Sequence, residues 1–341
     1  MTAPIAEMYR FVYGNWHSMI AYVYAELGIA DRLLEGPRSA GELARETGTD
    51  PAALARVLAC AGGMGFHAEE PKGGRLVLSD LGRLLATGVP GSLRAVARLN
   101  GAPYRYAPWG RLLDYVRTGS GEGLSPTWES GTLDYLRDRP ELLAVFQEAM
   151  RSLGKTTASG ADEDRRIARA LDLGRARRVL DVGGGRGGLC EAMKAERPGL
   201  EVALFDLPEV VAGATVPDSI ERVAGDFGES VPPGFDLYTM KNVLHNHPRE
   251  RCLRLLGNVA AAMGAGSRLI VLEMVLPEPG TGGGSSPFLD LNLHLLVGGA
   301  ERTRAEYAEL LGSAGLELVD VLEIPGLERK ALEARRAHDP R

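Results

Sequence analysis

Apolar residues recur at helical spacing from Tyr9 to Leu34, and the pattern stops at the Gly36-Pro37 breaker, which predicts an opening helix. Ser39-Ala-Gly-Glu42 has the spacing of a capping box and predicts a second helix, closed near Gly48. Asp50-Pro51 supplies an N-cap and a first-turn proline for a third helix, running to about Gly62. Phe66 and Leu76-Val-Leu78 then flank a turn at Gly73-Gly74, with Ser79 placed to cap the next helix. Three helices and a two-stranded ribbon make a winged-helix pattern, assigned to residues 1–100.

Residues 92–160 continue as helices rich in large side chains: Tyr104, Tyr106, Trp109, Trp128, Tyr135, Phe146 and Met150. Such residues fill cores more often than ligand boxes, but this segment joins two domains, where small-molecule clefts form. Trp109, Phe146 and Met150 are therefore candidate acceptor contacts. From Arg177 the texture changes to short apolar strands at 178–182, 202–205, 222–224, 235–240, 267–272 and 316–322, with helices such as 249–263 and 304–313 between them. That alternation predicts an α/β domain over 101–341, a Rossmann-like, doubly wound parallel sheet covered on both faces. Pro279–Ser286, rich in glycine and serine, reads as a mobile surface loop.

Composition narrows the function. A chain of 341 residues can bury one sizeable core and a smaller second unit. The net charge of −6 repels a phosphate backbone, and the third helix offers only Arg56 to a DNA groove. No nucleic-acid partner is expected, and the winged-helix unit reads as a dimerisation surface; a ligand-sensing regulator, the non-enzymatic alternative, is disfavoured on the same grounds. Cys60, Cys190 and Cys252 are too scattered for a disulfide framework or a spaced metal site. No basic leader followed by an apolar run and no 18-residue apolar segment is visible, so no membrane partner and a cytoplasmic location are expected.

The chemistry begins at Asp181-Val-Gly-Gly-Gly-Arg-Gly-Gly188, which follows a strand and opens a helix. Gly183-x-Gly185-x-x-Gly188, with Asp206 placed where a ribose-binding acid belongs, satisfies a dinucleotide fingerprint and does not by itself separate NAD from S-adenosylmethionine. Three features favour S-adenosylmethionine. Asp181 ends the strand before the glycines, where a carboxylate suits a cationic amino-acid end. Asp226-Phe227 gives an adenine pocket a polar edge and an apolar face. Lys241 to His247 puts ionisable groups at the carboxyl end of the fourth strand, beside the switch point of such sheets.

Leu180-Asp-Val-Gly-Gly-Gly185, Phe205-Asp-Leu-Pro208, Gly225-Asp-Phe227 and Met240-Lys-Asn-Val-Leu-His245 occur in the order and spacing of the small-molecule O-methyltransferases, the caffeic acid and flavonoid enzymes and bacterial antibiotic-tailoring enzymes. The chain resembles that family from about Tyr9 to Arg336, including Leu27-Gly-Ile-Ala-Asp31 and Gly298-Gly-Ala-Glu-Arg-Thr303. The resemblance implies a homodimer through the front domain and S-adenosylmethionine as cofactor, with S-adenosylhomocysteine as product. It assigns Gly183 and Gly185 to the backbone cradle, Asp206 to the ribose hydroxyls, and Asp226 and Phe227 to the adenine, with Lys241 nearby; Asp181 and Leu207 complete the expected cofactor contacts. It makes His245 the general base, Glu273 the carboxylate that orients it, and Glu301 a second acid at the acceptor. Apart from the resemblance, Asn246 beside the base, and His294 four residues beyond Asp290 on a predicted helix, are candidate acceptor contacts together with Asp290.

Chemistry supports His245 independently. A methyl sulfonium is already activated, so an enzyme has mainly to align the attack and make the acceptor nucleophilic. A phenol with a pKa near 10 is a poor nucleophile at neutral pH, and an imidazole near 6.5 can take its proton as the bond forms. No metal is required by this scheme. The chain departs from the family at His245-Asn-His-Pro248, where His-Asp-Trp followed by an acid is usual, and at Arg186, where histidine or threonine is more common. A fold-mate that uses the cofactor for hydroxylation, decarboxylation or cyclisation, or a C- or N-methyltransferase, is the alternative.

Overall fold

The apolar stripe from Tyr9 to Leu34 forms three helices rather than one. α1 (Ala3–Val12) and α2 (Gly14–Glu26) are separated by a turn at Tyr13, and Gly28, left-handed at φ 60°, breaks α2 from α3 (Ile29–Leu34). After β1 (Arg38–Ser39), α4 (Ala40–Thr47) opens on the expected capping box: Glu42 N donates to Ser39 Oγ at 3.2 Å and Ser39 N to Glu42 Oε2 at 2.7 Å. Asp50 accepts from Ala53 N at 2.7 Å to start α5 (Pro51–Gly63). β2 (His67–Glu69) and β3 (Arg75–Leu78) form the ribbon, and Ser79 caps α6 (Asp80–Arg83). The ribbon has three strands, not two, because Arg38 and Ser39 pair with Leu76 and Arg75.

The computed structural model describes residues 3–71, 73–128, 131–156, 160–174, 176–277 and 286–337. The loop expected at Pro279–Ser286 lies outside these residues except for Ser286, which starts a helix. Further along the chain come α7 (Arg94–Gly101), α8 (Pro103–Gly110), α9 (Leu112–Thr118), α10 (Thr132–Arg137), α11 (Pro140–Thr156) and α12 (Gly160–Ala170). Two compact units result, Met1–Arg111 with Leu133–Thr157, and Leu112–Thr132 with Ala158–Arg341. The segment 101–160 is thus divided between them. In the first unit Trp109 is half-buried, Phe146 packs partly buried on a cluster containing Leu99, Tyr104, Leu136 and Val145, and Met150 is exposed.

The second unit is built on β4 (Arg178–Val182), α13 (Gly188–Glu196), β5 (Glu201–Asp206), α14 (Pro208–Ala212), β6 (Ile220–Ala224), β7 (Leu237–Lys241), α15 (Arg249–Ala262), β8 (Arg268–Leu276), α16 (Ser286–Val297), β9 (Arg302–Thr303), α17 (Arg304–Ser313), β10 (Leu316–Glu323) and β11 (Arg329–Arg336). The main sheet runs β10-β11-β8-β7-β4-β5-β6. Period-two alternation covers both faces: Val202, Leu204, Ile270 and Leu272 join one core, while Ala203, Phe205, Leu269 and Val271 join the other. The sheet is not wholly parallel. β11 is antiparallel to β8 and β10, and inserts between them. Chain order reverses between β4 and β7, which pair directly, so the loops leaving these two strands flank the switch point.

Candidate active site

The loop leaving β4 is a run of glycines because the backbone demands it. Gly183, Gly185 and Gly187 all have positive φ (70°, 58° and 83°), and a Cβ on Gly183 would strike Val243 at 2.8 Å and approach the Phe227 ring at 3.7 Å. Over Gly185 a Cβ would meet nothing within 4 Å. The turn is therefore walled on one side and open above Gly185, a cradle that fits an adenosyl ligand lying against backbone.

Asp206, at the end of β5, accepts from Gly185 N and from Leu207 N, each at 2.8 Å. Burial pushes its carboxyl above the usual range, against these two donors, so it is a desolvated acceptor suited to ligand hydroxyls. Phe227 stands edge-on to His247 with ring centroids 5.8 Å apart, and Asp226 accepts from Gly228 N at 2.7 Å. Asp181 is fully enclosed. Its oxygens take Thr239 Oγ1 at 2.7 Å and Cys190 Sγ at 3.6 Å, and burial pushes its carboxyl up to about 6. Lys241 is ion-paired to Asp164 of α12.

The second half of the site is the turn after β7, where a single 3-10 turn (Leu244–Asn246) carries His245. Glu273 of β8 reaches beneath it, and Oε1 accepts from the N–H groups of Val243 (2.9 Å), Leu244 (2.8 Å) and His245 (3.4 Å). Arg302 grips the carbonyls, donating to Leu244 O at 3.3 Å, His247 O at 3.4 Å and Ala300 O at 2.9 Å. A carboxylate and a guanidinium thus satisfy opposite poles of one buried turn.

Glu301, expected at the acceptor, makes the direct contact with the imidazole: Nδ1 of His245 lies 2.8 Å from its Oε1 and 3.6 Å from Glu273 Oε2. The sequence expectation gave that orienting position to Glu273. The structure divides the work otherwise, because the turn's own amides occupy Glu273 Oε1. Burial lowers the imidazole's proton affinity, but the charge of Glu273, the hydrogen bond to Glu301 and its charge together carry it above its ordinary value. The three side chains offer donor atoms within 4.8 Å of one another. The 2.8 Å contact is the length of a shared proton, and we read the set as a hydrogen-bonded triad.

Glu301 is delivered by a close approach. A Cβ on Gly299 would overlap the carbonyl of His245, and Gly298 packs on the Trp128 indole. Asp290 Oδ1 accepts from Glu301 N at 2.8 Å, and His294 Nδ1 lies 2.7 Å from Gly299 O. Both residues, expected as acceptor contacts, brace the loop that carries Glu301. Asn246 is exposed and donates to Asn242 O at 2.9 Å. Trp109, Phe146 and Met150 belong to the first unit. Sequence reasoning gave no role to Arg302, Asp164 or Thr239; Arg302 lies within Gly298–Thr303, and only that motif could have pointed to it.

A glycine cradle with a ribose-type acid, adjoining a hydrogen-bonded histidine, can hold a nucleoside-like cofactor and take a proton beside it. Comparison with known proteins gives the same picture. The profile of the O-methyltransferase domain family matches residues 109–317. The chain is 34% identical to the 3-amino-4-hydroxybenzoate 4-O-methyltransferase of Streptomyces cremeus, over 92% of this chain and 85% of that protein. It is also 34% identical to the aclacinomycin 10-hydroxylase RdmB of Streptomyces purpurascens, over 88% and 81%. Human N-acetylserotonin methyltransferase, solved in complex with S-adenosylmethionine, superposes with a TM-score of 0.78 at 25% identity, covering 98% of each chain. S-adenosylmethionine is thus the cofactor, and the chain belongs to the family of S-adenosylmethionine-dependent small-molecule O-methyltransferases.

Proposed function

We propose that the enzyme methylates a hydroxyl of an aromatic or polyketide-like natural product, with His245 as the general base. What carries this reading is the His245–Glu301 hydrogen bond at 2.8 Å. With the Nδ1 proton directed at the carboxylate, the neutral ring keeps its lone pair on Nε2. Nε2 can then accept the acceptor's hydroxyl proton while the paired acid stabilises the imidazolium that forms. When bound, the cofactor supplies a methyl group on a positively charged sulfur, with a neutral thioether as leaving group. The chain's task is to orient and deprotonate. In this reading Gly183 and Gly185 cradle the cofactor, Asp206 takes its ribose hydroxyls, and Asp226, Phe227 and Lys241 border the adenine.

Methyl-labelled cofactor and a panel of phenolic acceptors test the reading. Label should appear on oxygen of the product, and His245→Ala should abolish transfer while cofactor affinity stays within about twofold, since the base contributes about 10²–10⁴ in rate. A His245→Ala enzyme with full activity sinks the general-base role. The hydroxylase among the relatives favours a second reading, cofactor-dependent chemistry without methyl transfer; product formed without label transfer would select it.

We further propose that the front domain, residues 1–100, forms a homodimer, and that Trp109, Phe146, Met150, Asn246 and His294 contact the acceptor. Support for the dimer is the apolar face of α1 and the start of α2, where Met8, Phe11, Val12 and Trp16 are exposed. Phe11→Glu with Trp16→Glu should turn a dimeric mass into a monomeric one in light scattering. A wild-type monomer refutes the proposal.

A further inference from the structure

Among the described residues Asn242 is the one non-glycine residue with positive φ, at 57°. It stands where β7 becomes the base turn. Its N–H donates to Leu272 O at 3.1 Å, its carbonyl accepts from Asn246 Nδ2 at 2.9 Å, and the next three amides run to Glu273. The left-handed conformation is what folds the chain back so that those amides converge on one oxygen. It is disfavoured for side-chain-bearing residues, asparagine least among them, and persists when its surroundings fix it.

Arg329 of β11 supplies the fixing contact. Nη1 donates to Asn242 Oδ1 at 2.5 Å, and Nε donates to Glu163 Oε1 of α12 at 2.9 Å. The Arg329 and Glu163 side chains are 13% and 15% exposed, so this fork is held in a largely dry environment. The next residue of α12, Asp164, pairs with Lys241, the residue before Asn242. Asp164 also fills the space a Cβ on Gly188 would need, at the start of α13. Two consecutive acids of α12 thus secure the end of β7, one directly and one through Arg329, and touch the helix that follows the glycine cradle.

We propose that Arg329 is a positioning residue for the base: through Asn242 it holds the left-handed turn that brings His245 to Glu301. The proposal rests on the reading of His245 as general base. Among the described residues, the charged and titratable groups around the imidazole are Glu273 from β8, Glu301 from the loop before β9, Arg329 from β11 and His247 on its own turn, with Arg302 of β9 on the carbonyls of that turn. Against the two acids, the guanidinium favours the neutral ring, which is the form that accepts a proton. Arg329 therefore acts on the base in two ways, through backbone geometry and through charge.

The test follows the His245 ring by NMR titration and, in parallel, the pH dependence of kcat, in Arg329→Met, Arg329→Lys and Asn242→Gly enzymes. For Arg329→Met the imidazole should titrate at higher pH, the acid limb of kcat should move with it, and kcat at neutral pH should fall about tenfold, a fraction of the general-base contribution. Cofactor Kd should stay within about twofold. Arg329→Lys keeps the charge and should restore the titration but not the full rate. Asn242→Gly permits the same φ and deletes Oδ1; it should lose rate with a smaller change in titration, and it decides the matter if Arg329→Met does not fold. An unchanged His245 titration and rate in Arg329→Met, or unchanged kcat in Asn242→Gly, overturns the proposal. A titration that moves while the pH–rate profile does not upholds the coupling of Arg329 to His245 and refutes the general-base reading instead.

Discussion

His245 and Glu301 are joined by a 2.8 Å hydrogen bond through Nδ1, while Glu273, nearer in sequence, spends one oxygen on three backbone amides of the same turn. The two acids therefore fail differently when altered. Glu301→Gln leaves a neutral amide against the ring and should lower kcat about 10- to 100-fold, part of the general-base contribution, with little change in Tm. Glu273→Ala strips the acceptor from buried N–H groups, each orphan costing about 1–3 kcal/mol, and should lower Tm markedly. Steady-state kinetics beside thermal melts of both variants checks this; equal Tm losses would show that the acids are not divided in this way.

In the proposed reading of His245 as general base, the acids also set the pH at which it works. Since the imidazole is held above its ordinary value, the acid limb of kcat should lie above about pH 6.5. Glu273→Gln removes the larger of the raising charges yet still offers an oxygen to the turn's amides. Its limb should move to lower pH. A pH–rate profile with saturating substrates reads this directly, and a limb that stays in place would mean another group controls it.

Two buried groups near the cofactor cradle oppose each other in their effect on stability. Burial holds the Asp181 carboxyl at about 6, so between about pH 4 and 6 the folded state keeps a proton the unfolded chain has released, and this contribution weakens as pH rises. Burial, then the charges of Arg251 and His245, hold the His247 imidazole at about 4, so between 4 and about 6.5 the unfolded chain binds the extra proton and stability weakens as pH falls. Each effect is at most about 3 kcal/mol, and they nearly cancel. Relative to the wild type, His247→Phe should therefore lose Tm progressively as pH rises from about 4 to about 6.5, and Asp181→Asn should gain Tm progressively. Parallel slopes in both variants would contradict the assignment.

Local signals explain what was legible in the sequence. Ser39 with Glu42, Asp50 with Pro51, and the glycines after β4 each fix structure within a few residues, and each is found as read. The inner strands are legible as short apolar runs because each buries both faces. β11 is not legible in the sequence, since Arg-Lys-Ala-Leu-Glu-Ala-Arg-Arg has no strand-like composition and becomes a strand only by pairing with β8 and β10. His245 could be chosen because its motif is local. Its partner could not: Glu273 and Glu301 are 28 and 56 residues away, and the choice depends on the turn amides that engage Glu273 and on the close approach at Gly299 that brings Glu301 in. Arg329 and Glu163 lie farther still in sequence from Asn242, beyond any spacing rule.

Gly299 gives the sharpest steric test of the site. A methyl group there would meet the His245 carbonyl and the Asn246 backbone, atoms that cannot rotate aside as a side-chain tip can. Either the loop or the base turn must shift, and Glu301, two residues on, shifts with the loop. Overpacking of this kind costs about 1–3 kcal/mol, and a displacement of about 1 Å at a catalytic group costs about 10²-fold in rate. Gly312 is the control. It lies exposed in α17, and a methyl group added there would meet no heavy atom within 4 Å, so Gly312→Ala should stabilise by about 1 kcal/mol and leave kcat alone. Gly299→Ala should instead lower both Tm and kcat while cofactor Kd, set in the proposed reading by the loop after β4, stays within about twofold. If kcat survives in Gly299→Ala, Glu301 does not need its observed place beside His245.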